Sequence, residues 1–378
     1  MNSGIPGAGL PALRDHNAAL VLDLLRVATV ADGGAGISRQ ELATRTGLTP
    51  QAVSKIVARL AGQGLVAEAG RGASTGGKPR TLLRLVRQAR YAVGLHLDRD
   101  ELTVVLVDLA GEAVTERVTP FDLGAGPGAV LEAVAERVRE VTSDVPGAER
   151  VLLGAGAAAP GPLDHAAGVL GRVTGFPGWD GFALADALAG RLGLPVTLDK
   201  DTNAAALRVP ADGPRPASFA YLHVGSGLGA GLVLDGALYR GPRTGAGEFG
   251  HQTLEPDGPR CACGRRGCLE ALCLAALADG DTARAARLLA VGAANLAALL
   301  DIDRVVLGGR AVTPAFRDEV AAALAREAAP GTVRVARECA GARTIAEGAA
   351  WLVLAPLFGR RRFGFWRRFL AAVPDDGF

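Results

Sequence analysis

The sequence predicts an α/β protein with a winged helix-turn-helix head and a two-lobed body. Three observations lead there. Two short helices flank a tight glycine turn near the start of the chain. From Tyr91 onward, strands alternate with helices. A strand, turn and strand order then recurs around Gly225-Ser-Gly-Leu-Gly-Ala-Gly231, which suggests two similar halves with a cleft between them.

The 378 residues allow two or three domains, and an apolar fraction of 49% is ample for a core. No uncharged apolar run is long enough to predict a membrane span. The start, MNSGIPGAGLPAL, reads as a disordered leader rather than a targeting signal, so a cytoplasmic protein is expected. The lysines are Lys55, Lys78 and Lys200; arginine fills the other basic positions, a bias that weakens the meaning of any single arginine. The net charge of +2 is uneven: residues 1–88 carry +6 and the remainder −4. A basic head on a mildly acidic body points to a polyanion partner, with an ordinary solvated surface as the alternative.

The head spans residues 14–87. Apolar residues at helical spacing predict a helix from His16 to Val27. Ser38 and Glu41 form a capping box, Gly47 breaks the chain, and Thr49-Pro50 starts the next helix through Gln63. That helix exposes Gln51, Ala52, Ser54 and Lys55 to a major groove. A strand at 65–67, a loop from Arg71 to Arg80 and a strand at 81–86 form the wing. Arg59, Arg71, Lys78 and Arg80 would neutralise phosphates or probe a minor groove of double-stranded DNA. The alternative is a winged helix used only for protein contacts.

The body spans residues 89–355. Strands are expected at 91–97, 102–108, 111–115 and 151–157, with a helix from Val130 to Thr142. His251, Cys261, Cys263 and Cys268 have the spacing H-x9-C-x-C-x4-C, and the whole chain has five cysteines. Soft thiolates with one imidazole suit a tetrahedral, structural Zn2+; unliganded thiols and a disulfide framework are the alternatives. The glycine run at 225–231 is either a close backbone approach to a phosphate or a plain tight turn.

Several motifs together give a resemblance. They are Pro160-Gly-Pro-Leu163, Phe176-Pro-Gly-Trp179, Asp201-Thr-Asn203, the glycine run, Gly247-Glu248-Phe-Gly-His251, the cysteine cluster ending in Glu270, and Val305-Val-Leu-Gly-Gly309. In order, they resemble the ROK family of sugar-responsive repressors and sugar kinases. The basic head resembles the winged helix of its repressor branch. The resemblance implies an actin-like, ribonuclease-H-like sugar kinase fold. It also implies that Asp201, Glu248, His251 and Glu270 hydrogen-bond a sugar, with His251 using its second ring nitrogen for zinc.

The chain also departs from the family pattern. ROK kinases carry Asp-x-Gly-Gly-Thr on the first hairpin, and here the stretch is His96-Leu-Asp98-Arg99-Asp100. Three carboxylates, Asp98, Asp100 and Glu101, would repel a triphosphate, with Arg99 offsetting part. Kinase activity is therefore not expected, although Asp201 keeps the position of the kinases' base; an ATP-dependent sugar kinase with an accessory head is the alternative. Lys200 replaces the usual Asn. It pairs either with an anionic ligand such as a sugar phosphate or with Asp199 or Asp201. Cys273 and Cys339 are expected as buried thiols. Residues 356–378 form a basic aromatic tail. The expected partners are a DNA operator, a small sugar or sugar phosphate effector, and a second copy in a homodimer or dimer of dimers, with no membrane. A place beside a bacterial nucleoid is expected.

Overall fold

The computed structural model describes residues 10–30, 34–71, 80–173, 175–209, 218–329 and 331–359. The wing tip with Lys78, residues 1–9 of the expected leader and residues 360–378 of the expected tail lie outside the described residues.

Helix α1 (Leu10–Val30) begins earlier than its periodicity predicts and takes in part of the expected leader. Strand β1 (Ile37–Ser38) was not foreseen; two residues are too few for a periodic signal. Ser38 then caps α2 (Arg39–Thr46): its Oγ accepts from Glu41 N, and its own N donates to Glu41 Oε2 at 2.9 Å. Gly47 ends α2 with a φ of 69°, in the left-handed region that favours glycine. Thr49 Oγ1 accepts from Ala52 N at 3.2 Å and caps α3 (Pro50–Gly62). Each such cap stabilises its helix by about 1 kcal/mol. Strands β2 (Val66–Arg71) and β3 (Thr81–Leu85) pair antiparallel, and β1 adds to β3 as a third strand.

The body holds two five-stranded sheets of one plan. The first contains β4 (Tyr91–Leu97), β5 (Glu101–Asp108), β6 (Ala113–Pro120), β7 (Leu152–Ala159) and β10 (Val196–Lys200), in the order β10-β7-β4-β5-β6. Helix α4 (Pro127–Ser143) precedes β7. The short strands β8 (Leu163–Asp164) and β9 (Val169–Leu170), with α5 (Leu184–Leu192), precede β10. Helix α6 (Asp201–Arg208) follows it.

The second sheet contains β11 (Phe219–Val224), β12 (Leu228–Leu234), β13 (Ala237–Tyr239), β14 (Arg304–Gly308) and β15 (Arg334–Ala340), in the order β13-β12-β11-β14-β15. Helices α7 (Leu269–Ala278) and α8 (Thr282–Leu300) precede β14, α9 (Pro314–Glu327) precedes β15, and α10 (Ala342–Leu354) follows it. In each sheet a hairpin and a third antiparallel strand are joined by two parallel strands. Helix α8 is long and apolar enough to cross a membrane, but it buries Ala285, Ala286, Leu289, Ala290 and Ala293 in the second lobe's core.

Helices α6 and α10 close each sheet's plan and pack on one another. The head does not hang free. Val21, Leu25, Leu42, Val53 and Leu85 share one apolar core with Val105, Val107, Trp351, Leu354 and Phe358. The Arg26 guanidinium lies 5.0 Å from the Trp351 ring centroid and 5.3 Å from that of Phe358. The expected break near residue 88 is therefore a change of architecture within a continuous core.

Candidate functional site

The Gly-Glu-x-Gly-His motif folds as a short 3-10 turn (Phe249–His251) pressed against β12. Gly247 has a φ of 85°, and a Cβ there would lie 1.9 Å from Ala230 O. Glycine at 247 thus allows Ala230 N to donate to Gly247 O at 2.8 Å, which fixes the turn that carries Glu248 and His251.

His251 Nδ1 lies 3.7 Å from Cys261 Sγ, and Cys263 Sγ lies 3.6 Å from Cys268 Sγ. One donor atom from each of the four residues falls within 4.8 Å of the other three. Tetrahedral zinc with bonds of about 2.3 Å to sulfur places sulfurs about 3.8 Å apart, so this donor set fits a metal. Burial pushes the Cys263 thiol up, but hydrogen bonds from Arg265, Cys261 and Cys268 outweigh it and bring the group to about 6. Burial first, then hydrogen bonds with its two neighbours, push Cys268 up to about 12. With Nδ1 turned to the sulfurs, the other nitrogen of His251 is left for a second partner.

Glu270 sits in the first turn of α7, two residues after Cys268, the helix's N-cap. Its Oε2 accepts from Leu228 N at 2.8 Å, and its Oε1 lies 4.0 Å from Cys261 Sγ. Glu270 therefore ties the cysteine loop to the start of β12.

Asp201 is the first residue of α6, and its Oδ1 accepts from Thr202 N at 2.6 Å. Lys200 is 3% exposed. Its Nζ donates to Ala246 O and to Glu248 Oε1, the latter at 3.3 Å. Of the two alternatives for Lys200, the side-chain pairing with Asp199 or Asp201 is not the one the fold uses. Asp199 is fully buried and already engaged by Arg240 Nε at 2.7 Å and Asn203 Nδ2 at 2.7 Å. The fold thus brings Lys200 and Glu248 together, and Glu270 beside the His251 and cysteine cluster.

The glycine run is only partly a turn. Residues 225–227 turn, while 228–231 belong to β12. A Cβ at Gly231 would lie 2.1 Å from Thr202 O, so part of the run exists to let α6 approach the strand.

Sequence reasoning missed Arg240 and Arg310. Arg310 supplies the counter-charge for Asp98 and Asp100 that had been expected from Arg99, whose guanidinium instead lies 5.6 Å from the Phe176 ring. An arginine-rich composition hides such residues. A buried polar atom is also present here: His96 Nδ1 has no hydrogen-bond partner. Burial pushes the His96 ring down from its usual range, against the pull of Asp201 and Asp98. Cys273 is buried and pushed up to about 12 by burial, as expected of a core thiol.

On the head, Val53, Val57 and Leu60 of α3 face the core, while Gln51, Ser54, Lys55 and Arg59 are exposed on the opposite face. Ala52 is half-buried at the edge of that face. Arg71 and Arg80 are exposed at the base of the wing.

Comparison with known proteins adds to this picture. The ROK family profile matches residues 92–279, and the MarR family profile matches residues 24–73. The xylose repressor of Bacillus subtilis (strain 168) is 29% identical over 236 residues. The match covers 62% of this chain and 61% of the repressor, less than two thirds of that relative's length. A solved structure described as a ROK family transcriptional regulator, homolog of the E. coli MLC protein, superposes with a TM-score of 0.69 at 21% identity. It covers 92% of this chain and 98% of that one, so the fold is shared through head and body alike. The ROK hexokinase of Thermus thermophilus superposes with a TM-score of 0.56 at 31% identity, covering 69% of this chain and 96% of that one.

Proposed function

This chain belongs to the ROK family, and on that premise we propose that it is a sugar-responsive, DNA-binding transcriptional regulator, a repressor of carbohydrate-related genes. One observation carries the reading. A winged helix with an exposed polar and basic face shares a core with a two-sheet body, in which Lys200 meets Glu248 and Glu270 lies beside the His251 and cysteine cluster.

Residues 14–87 form the DNA-binding unit and residues 89–355 the sugar-binding unit; of the expected tail at 356–378, Phe358 instead packs in the shared core. Gln51, Ala52, Ser54 and Lys55 read base edges, and Arg59, Arg71, Lys78 and Arg80 hold phosphates. Asp201, Glu248 and Glu270 accept hydrogen bonds from sugar hydroxyls, and His251 adds a ring nitrogen. Zinc on His251, Cys261, Cys263 and Cys268 locks the ring's tautomer and the cysteine loop. The protein works as a homodimer or dimer of dimers, which presents paired heads to half-sites about one helical turn apart, or a multiple of it.

The likeness to the B. subtilis xylose repressor and to the ROK regulator supports this reading. The two carboxylates in the first hairpin turn, already engaged by Arg310, argue against a nucleotide there. Ligand binding in the cleft alters operator affinity by a coupling free energy of about 1–3 kcal/mol.

The test is a gel shift of the full chain on DNA flanking its own gene, across neutral sugars and sugar phosphates. A specific shift that one compound relieves or strengthens is expected. No shift under any condition, together with ATP-dependent phosphorylation of a sugar in the same panel, would replace this reading with a kinase.

A further inference from the structure

Two kinds of bridge join the lobes. At the start of α6, Lys200 meets Glu248, and Asp199 meets Arg240. The Asp199–Arg240 pair is buried, at 0% and 10% side-chain exposure, whereas Lys200, at 4%, meets a Glu248 that is 45% exposed. At the hairpin turns the bridge is different. Arg310 follows β14 in the second lobe, and Asp98 and Asp100 sit in the β4–β5 turn of the first. Arg310 Nη1 donates to Asp100 Oδ2 at 2.9 Å, and Nη2 donates to Asp100 Oδ1 at 2.8 Å. Nη2 also donates to Asp98 Oδ2 at 3.0 Å. A planar fork thus meets two carboxylates that lie more than two hundred positions away in the chain.

Both ends of this bridge are anchored to their own lobes. Asp98 Oδ1 accepts from Arg99 N at 2.8 Å, and Asp100 O accepts from Phe121 N at 3.0 Å. Across the gap, Ala311 N donates to Val224 O at 3.2 Å. The Arg310 guanidinium holds the Asp100 carboxyl below its usual range. Unlike the Asp199–Arg240 pair, this bridge is open to water at two of its three side chains: Arg310 and Asp100 are 51% and 62% exposed, and Asp98 is 17% exposed. Buried pairs are screened little by salt, while exposed pairs are screened strongly.

We propose that Arg310, Asp98 and Asp100 form a salt-sensitive clasp between the lobes, and that the lobes part at this clasp while the buried Asp199–Arg240 pair beside α6 acts as their hinge. The two carboxylates that depart from the kinase pattern then have a structural purpose. They hold the lobes together through a side chain of the protein itself.

Hydrogen–deuterium exchange on the full chain tests this. In Arg310→Ala, amides of residues 98–101 and 309–312 exchange about two- to fivefold faster, the range for loss of an exposed ion pair. Amides of residues 199–203 keep their wild-type rates. Raising salt from about 50 mM to about 500 mM speeds the same two segments in the wild type and adds nothing in the variant. Arg310→Glu combined with Asp100→Arg regains protection over Arg310→Glu alone. Wild-type exchange in Arg310→Ala would overturn the clasp, and so would a wild-type protein indifferent to salt. An equal rise at 199–203 would overturn the hinge.

Discussion

The β4–β5 and β11–β12 turns hold equivalent places in two sheets of the same plan, yet they differ in chemistry. The first carries Asp98 and Asp100 and is held by an arginine from the opposite lobe. The second carries Gly225 and Gly227, and Glu270 of its own lobe approaches its backbone: Glu270 Oε2 accepts from Leu228 N. A Cβ at Gly227 would lie 3.1 Å from that same oxygen. One topological position thus serves contact between lobes in the first copy and carboxylate placement in the second. Repetition of a fold fixes where a turn sits; the turn residues decide what it does.

The largest expected effect lies on the second side. Cys263→Ser, or chelation of the wild type, should release about one zinc per chain and lower the melting temperature by at least about 5 °C. Exchange in the first turn, at residues 98–101, should stay unchanged. Metal analysis with a thermal melt checks this, and full metal content in the variant would contradict the assigned ligand set.

Gly231→Ala comes next, because its methyl group would collide with backbone rather than with a movable side chain. It should destabilise the protein by about 3 kcal/mol, against less than about 1 kcal/mol for Asp100→Gly at the exposed first turn. Denaturant melts of the two variants give the contrast directly, and equal losses would erase it.

Lys200→Asn frees Glu248 from its buried cation. Affinity for the sugar identified in the gel-shift panel should fall about tenfold, or about 1.4 kcal/mol by titration calorimetry. Unchanged affinity would make the pair purely structural.

The smallest effect is in the head, away from both turns. Arg80→Ala should weaken binding to all DNA sequences alike and flatten the salt dependence by about one unit of slope. An unchanged slope moves Arg80 off the phosphates.

Much of this was legible in the sequence because the signals are local. The capping box at Ser38 and Glu41, the αL cap at Gly47 and the Thr49 cap each depend on residues within three positions. The His251, Cys261, Cys263 and Cys268 cluster was legible for the same reason: its four residues lie within eighteen positions, and the fold brings their donor atoms within 4.8 Å of one another. The misses are long-range. Lys200 pairs with Glu248, 48 positions away, rather than with its neighbours, because Asp199 is already held by Arg240 and Asn203. Arg310 finds Asp100 across 210 positions, and Arg26 stacks on Trp351 and Phe358 from the other end of the chain. No periodicity encodes such pairs. In a chain where nearly every basic residue is arginine, composition does not mark them either.

The central claim is that the cleft and the DNA-reading face share one equilibrium. The most direct measurement is calorimetric titration of the effective sugar into the full chain, with and without saturating operator DNA. Linkage requires the operator to change sugar affinity by the same factor, about 5- to 150-fold, by which the sugar changes operator affinity. Matching factors would support one coupled device. A sugar affinity untouched by operator DNA would contradict it.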